Sequence, residues 1–301
     1  MARLSTGVIC DAVEVFSGNV TANAALLHFH AGYNRVLAGG DPRDSGGAPH
    51  LWSFLQLRAE LSLAMSITGT ATGVYAAGTE TTTITATTAI FDPIQVGDSI
   101  TIDTVTDPLV IASYTSSTVI VAALGEDFAG KAVSLPHHGI YALPAGFDGF
   151  LEPPVYALAA GLATPDLEEV SPERLFEMRR ESNALGTPRY YALVADAAAA
   201  AGTAQTYSLA VAPRPEATRL LLYRYRLAAP DLTDLTTMYP LGPPSMSPLY
   251  RAAALADAEL LLGHVPGPHE AAYQKLMITA LDADGAMFAT SEPLRMASSE
   301  G

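Results

Sequence analysis

The tetrapeptide Gly97-Asp98-Ser99-Ile100 sets a serine directly behind an acid in a short turn, a pattern that could present a nucleophilic hydroxyl. Attack by such a serine needs an imidazole to take its proton and a carboxylate to orient that imidazole. No Asp-x-x-His pair occurs towards the C-terminus to supply them. Ile100, Thr101 and Ile102 also continue as strand, where a nucleophile of this kind needs a strand-to-helix turn. The histidines are no better placed to hold a metal. His28 and His30 are two apart on an expected helix and so point about 200° apart. His137 and His138 are neighbours that face opposite sides of a strand, and neither pair can chelate one ion by itself. His264 and His269 flank a loop with no cysteine or carboxylate cluster at ligand spacing, so they read as surface histidines and no metal site is expected. Gly39-Gly40 and Gly46-Gly47 lack the strand-before, helix-after setting of a phosphate loop, and no cofactor is expected.

Gly97 to Ile100 resembles the opening signature of the GDSL hydrolases, in which the serine is the nucleophile. A hydrolase using Ser99 therefore stands as an alternative, against the reading of these residues as a turn entering a strand. Arg214, Arg219, Arg224 and Arg226 form the densest basic group. They could make a phosphate stripe; the many acids, Asp231 and Asp234 among them, favour salt-bridged or subunit-contact arginines. The single cysteine, Cys10, sits among apolar neighbours and reads as a buried structural thiol.

The 31 acids outnumber the 16 bases, and a formal charge of -15 opposes attraction to a phosphate backbone. No Lys or Arg occurs between Arg58 and Lys131, so that interval offers phosphate no cation. Hydrophobic residues at 49% and charged ones at 16% describe a globular chain, and 301 residues suit one large core plus a second module. Arg3 is the only charge in the first ten residues, no apolar run reaches membrane-spanning length and no signal-peptide pattern opens the chain. The expectation is a protein made and used without crossing a membrane.

The elements that must position these residues follow from periodicity. Leu4 to Phe16 reads as a helix ended by Ser17-Gly18-Asn19. Ala22 to Ala38 reads as a second, with Leu26, Phe29, Tyr33, Val36 and Leu37 as its buried stripe. Across Ser66 to Val133 the runs TTTITATT, SITIDTV, PLVIASY and STVIVAAL, split by Gly, Pro, Asp or Ser, read as a small all-β sandwich or barrel. Ser171-Pro172-Glu173 opens a helix to about Ser182. Tyr190 to Ala195, Tyr207 to Ala212 and Arg219 to Leu227 alternate as three strands of an antiparallel sheet, and the alanine run Ala197 to Ala201 between the first two reads as loop. Ser247-Pro248 starts a helix with Leu249, Ala253, Ala256 and Leu260 on one face. Pro268 starts the last, with Tyr273, Leu276, Met277, Ala280 and Leu281 as its stripe. The expected fold is α+β: an antiparallel helical bundle of N- and C-terminal helices with a sheet (1–66 and 137–290), an inserted all-β domain (67–136) and a flexible tail (291–301).

In sequence order these parts are two helices, WSFL, a threonine-rich insertion, YALPAGFDGF, TPRYYALV, LLLYRYRLAAPDLT and a helix pair. That order resembles the neck adaptor (head-to-tail connector) proteins of tailed bacteriophages over nearly the whole chain. Trp52 and Phe54 match the family's aromatic step after the second helix. Tyr141, Pro144 and Phe147 match the strand and turn leaving the insertion, and Tyr190, Tyr191, Tyr223 and Tyr225 match its proline-tyrosine strand and sheet exit. Few lysines and the Gly/Pro-rich link Leu241 to Pro248 depart from the pattern.

The resemblance implies a non-enzymatic virion component: a dodecameric ring in the neck between portal and tail, assembled in the host cytoplasm. Its partners would be copies of itself, the portal protein and tail or stopper (nozzle) proteins, with double-stranded DNA passing transiently through its lumen and no membrane contact. An acidic lumen would let DNA slide. The insertion would contact neighbouring subunits or a tail component. Leu294, Arg295 and Met296 would anchor a C-terminal segment that orders on the portal. A ligand-binding β module, for instance for glycans, mounted on helices is a further alternative.

Overall fold

The computed structural model describes residues 3–18, 21–44, 48–123, 126–157, 166–196, 205–230, 232, 238–263 and 265–291. The structure is mixed α+β, with five α-helices among the described residues and several antiparallel sheets, one of them a closed six-stranded barrel. The helices are α1 (Thr6–Ser17), α2 (Ala22–Ala38), α3 (Pro172–Glu181), α4 (Ser247–Gly263) and α5 (Pro268–Ser291). By contacts the chain divides into two compact units, 1–57 with 226–301, and 58–225. The segment 137–225 thus groups with the barrel, whereas the sequence reading attached it to the helices.

In the first unit α4 packs against α1, α2 and α5. Ser5 caps α1 through its hydroxyl, which accepts from the Val8 amide, so the helix starts at Thr6 and not at Leu4. Gly18, at φ 74°, ends it in the left-handed conformation that glycine adopts without strain. The expected stripe of α2 is inside: Phe29, Tyr33 and Val36 are buried, and Leu26 and Leu37 pack against them. A Cβ on Gly32 would stand 2.5 Å from the amide nitrogen of Ala254, so α2 and α4 meet backbone to backbone, with Ala252, Ala253 and Ala254 keeping the contact thin. Tyr273, Met277 and Leu281 bury the inner face of α5. Glu259 of α4 caps α5 by accepting from the amides of His269 and Glu270. Leu260 departs from expectation. It is 46% exposed, because the face it continues runs past the neighbours that cover Leu249, Ala253 and Ala256.

The second unit begins with β1 (Gln56–Leu63) and the barrel strands β2 (Ser66–Ala76), β3 (Thr81–Ala86), β4 (Ser99–Ile102), β5 (Leu109–Ser116), β6 (Val119–Ala123) and β7 (Phe128–Pro136). The closed order is β2-β3-β6-β5-β4-β7, with every pairing antiparallel. Alternation explains the threonines: Thr83 and Thr85 face water while Ile84 and Ala86 point inward. Ile84, Ile100, Ile102, Ile111, Ile120 and Leu135 are at most 2% exposed, so the interior is filled with side chains. Phe128 lies against Gly73, where no Cβ could fit, at a register shift between β2 and β7. Ser66 pairs with Pro136, so the barrel's two ends are neighbours.

The remaining strands are β8 (Ile140–Ala142), β9 (Phe147–Phe150), β10 (Val155–Tyr156), β11 (Glu168–Glu169), β12 (Leu185–Gly186), β13 (Tyr190–Ala195), β14 (Tyr207–Ala212), β15 (Arg214–Pro215) and β16 (Arg219–Leu227). They build a sheet β11-β13-β14-β8, a sheet β1-β16-β10 with β9 also on β16, and the parallel pair β12-β15. Two of the three expected strands, β13 and β14, pair antiparallel as the alternation implied. The third does not join them. β16 lies in the other sheet, since alternation fixes which face is buried but not which strand is the neighbour. Ser171 caps α3, which packs on β13 and β14 through Leu175, Ala192, Ala210 and Ala212. The alanine run at 197–201 lies outside the described residues.

Candidate functional site

Ser99 opens β4 with its side chain exposed, and among the described residues no imidazole or carboxylate bonds to it. The acid before it is occupied elsewhere. Asp98 takes both ends of the Arg214 guanidinium, at 2.5 Å (Nη1 to Oδ2) and 2.7 Å (Nη2 to Oδ1). Nη2 of Arg214 also donates to the Asn183 carbonyl at 3.1 Å. Its side chain is 1% exposed and has no surface to offer a neighbouring subunit. The other three expected contact arginines are more open. Arg219 donates to the Thr187 hydroxyl at 2.9 Å, Arg224 pairs with Glu152 at 2.6 Å, and Arg226 is exposed.

A second buried arginine had no signal beyond its spacing. Arg179 lies four residues after the core residue Leu175, on the inward face of α3, and donates to the carbonyls of Gly139 and Val211. Burial lowers its pKa to about 10. Beside it the His137 ring stacks on Tyr141 at 4.2 Å and accepts from the Gly139 amide at 2.9 Å. Burial foremost, then His138, Arg179 and Arg214, hold its pKa down at about 3. These side chains are packed structure and line no described cavity.

The aromatic positions singled out in the sequence are mostly internal. Trp52, Tyr141, Phe147, Tyr191, Tyr223 and Tyr225 are buried, while Phe54, Pro144 and Tyr190 are half-buried. Phe147 stacks on Tyr225 at 5.6 Å, and Phe150 meets Tyr191 and Tyr223 edge-on. His28 bonds to Asp257 at 2.8 Å and His30 to the Leu232 carbonyl at 2.9 Å. His269 packs edge-on against Phe16. His264 lies outside the described residues, as do Leu294, Arg295 and Met296. Burial raises the Cys10 thiol to about 11, with Asp11 and Glu14 adding to it, which keeps it protonated and unreactive at neutral pH. Among the described residues no three His, Cys, Asp or Glu side chains gather as a metal site, and no helix is long and apolar enough to cross a membrane.

A groove of about 410 Å³ lies in the helical unit. Leu276, Thr279, Ala280, Ala283 and Asp284 line it from α5, at spacings that put them on one helical face. Pro243, Met246 and Leu249 form the facing wall, and Trp52 and Phe54 close it. Trp52 is fixed by donating its indole N–H to the Val36 carbonyl at 3.0 Å and by stacking on Phe54 at 5.6 Å. One carboxylate sits in this apolar setting. Asp284, 6% exposed, accepts from the Ser53 hydroxyl at 2.5 Å and the Ser53 amide at 3.1 Å, and it bonds to His50 Nε2 at 2.9 Å. Serine, histidine and acid are all present, but both the hydroxyl and the imidazole bond to the acid. Attack by serine needs the hydroxyl on the imidazole. The cluster instead straps the segment 50–53 to α5. The one signal of this cluster in the sequence is that Asp284 continues the apolar stripe of Tyr273, Met277 and Leu281, a polar residue on a buried face.

Comparison with protein-family models and with curated proteins returns no match for this chain.

Proposed function

We propose that this chain is a structural virion protein of a tailed bacteriophage: a ring-forming adaptor in the neck that joins the portal to the tail and lines the DNA passage. The observation that carries the proposal is the single core in which α1 and α2, from one end of the sequence, pack with α4 and α5 from the other. On this reading the four helices are a bundle that forms the ring wall, and each copy presents the same heterologous face to the next. Large apolar side chains left in water on these helices support subunit contacts. Val15 is 84% exposed, Leu27 71% and Leu261 61%, with Val8 and Leu262 about half exposed.

The charge fits a channel that DNA crosses without binding. The chain carries -15, and residues 66–136 hold one lysine against seven acids. The barrel, closed and filled, acts as a contact module towards a neighbouring subunit or a tail component. A C-terminal segment around Leu294, Arg295 and Met296 docks on the portal, and assembly takes place in the host cytoplasm. Nothing in the surroundings of Ser99 favours the hydrolase alternative. The test is co-sedimentation of the chain with the portal of the same phage. The full chain binds and a chain truncated after Glu292 does not; undiminished binding by the truncated chain removes the docking role of that segment.

A further inference from the structure

Strand β1 stands at the edge of its sheet, with β16 as its one neighbour among the described residues. From Leu57 to Leu61 no backbone group bonds beyond that pairing among those residues, so one side of the strand keeps its N–H and C=O groups open. This stretch reads Leu57-Arg58-Ala59-Glu60-Leu61. Arg58 and Glu60 are exposed on the same face of the strand, and neither has an ion-pair or hydrogen-bond partner among the described residues. Both charges line a groove with Leu222 and Val155, also exposed, so apolar surface lies in water beside the open edge. We propose that β1 is an interaction edge that pairs antiparallel with β1 of a second copy of this chain, with Ala59 on the two-fold axis.

The occupant follows from the order of the charges. Charges on an edge strand ordinarily discourage pairing. Here one register turns them into an attraction. With the axis at Ala59, Arg58 lies opposite the partner's Glu60 and Glu60 opposite the partner's Arg58, which makes two ion pairs on one face. On the other face Leu57 lies opposite the partner's Leu61, and Leu61 opposite the partner's Leu57. Moving the axis to Arg58 or Glu60 sets like charges against each other, and moving it by half a residue sets each charge against an apolar side chain. The charge order therefore selects a second copy of this strand over an unrelated one. The contact closes at two copies, because a two-fold interface uses the same surface on both. It does not rest on the ring proposed above, whose contacts are heterologous.

The experiment reads the mass of the isolated full chain by sedimentation and its fold by circular dichroism. The native chain should dimerise. Arg58→Glu and Glu60→Arg, changes at exposed residues, each bring four like charges to the seam and should weaken the dimer by about tenfold or more. The double variant restores both pairs with their signs exchanged and should dimerise as the native chain does. A native chain that stays monomeric at high micromolar concentration, single variants that pair like the native chain, or a double variant as weak as the single ones would each overturn the proposal. Ala59→Cys gives an independent readout. Opposite Cα atoms of an antiparallel pair are about 4.5–5.5 Å apart, within the span of a disulfide, so a linked dimer should form under mild oxidation. Ser62→Cys, three residues off the axis, lies about 20 Å from its copy and should not link. Cys10 is buried and stays in place as the background. Equal linking of both variants, or of neither, means that the copies do not meet at Ala59 and contradicts the proposal.

Discussion

Arg214 of β15 grips Asp98, at the entrance to β4, with both arms of its guanidinium, at 2.5 and 2.7 Å, and the two side chains are 1% and 11% exposed. The pair fastens the barrel to the rest of its unit, together with Asn183 donating to the Ile94 carbonyl at 2.8 Å. Arg214→Met alone strands a buried carboxylate and should cost about 3–5 kcal/mol. Adding Asp98→Leu should recover most of that loss, because two apolar side chains replace two desolvated charges. Hydrogen exchange in β4 and β7, read by mass spectrometry, checks both. A double variant no more protected than the single one contradicts this account of the pair.

His137 sets a pH dependence whose sign follows from its pKa. The folded value is held at about 3 by burial, against an ordinary value of 6.5. Between those limits the unfolded chain binds a proton that the folded chain refuses, so stability is full above about 6.5 and falls as the pH drops towards 3. The Gly139 amide donating to Nδ1 points the same way, since that bond needs an unprotonated nitrogen. His137→Phe should flatten the acid limb of a urea-midpoint-against-pH curve relative to the native chain. Parallel curves would show that carboxylates alone produce the limb.

Asp284 organises the start of the groove, and Asp284→Ala leaves the Ser53 and His50 donors without their acceptor. The expected cost is about 1–3 kcal/mol. Trp52 is the only tryptophan and meets the His50 ring edge-on at 4.6 Å, so its fluorescence reports the loosening directly. An unchanged denaturation midpoint together with unchanged emission counts against the strap.

The barrel should be separable from the helices. Ser66 and Pro136 are paired partners, so replacing 67–135 with Asn-Gly closes the gap by a two-residue hairpin. Arg214→Met must accompany the excision, because the barrel takes Asp98 away with it. Helical circular dichroism and Trp52 emission should survive, and their collapse would mean that the helices need the barrel to fold.

The legible parts of this fold are those whose cause is local. Gly39-Gly40 and Asp41-Pro42 mark the end of α2, Ser171 before Pro172 marks the start of α3, and Thr/Ile alternation marks the barrel strands, each from a few adjacent residues. Pairing partners are set by residues far apart in sequence, so the neighbours of β16 were not legible even though its buried face of Leu221, Tyr223 and Tyr225 was. Buried polar side chains fall between these cases. Arg179 and Asp284 each sit on an apolar helical stripe, which signals burial, but their acceptors and donors lie between 32 and 234 positions away. The groove was illegible for a related reason. It exists only where the small residues of α5 face Met246 and Leu249 across an intervening turn.

On the proposed reading, identical copies of this chain encircle the DNA passage between portal and tail. Electron microscopy of the full chain mixed with the portal of the same phage tests it most directly. A collar of twelvefold symmetry coaxial with the portal is the expected result. Particles in which the portal stays bare while the chain remains monomeric would contradict it.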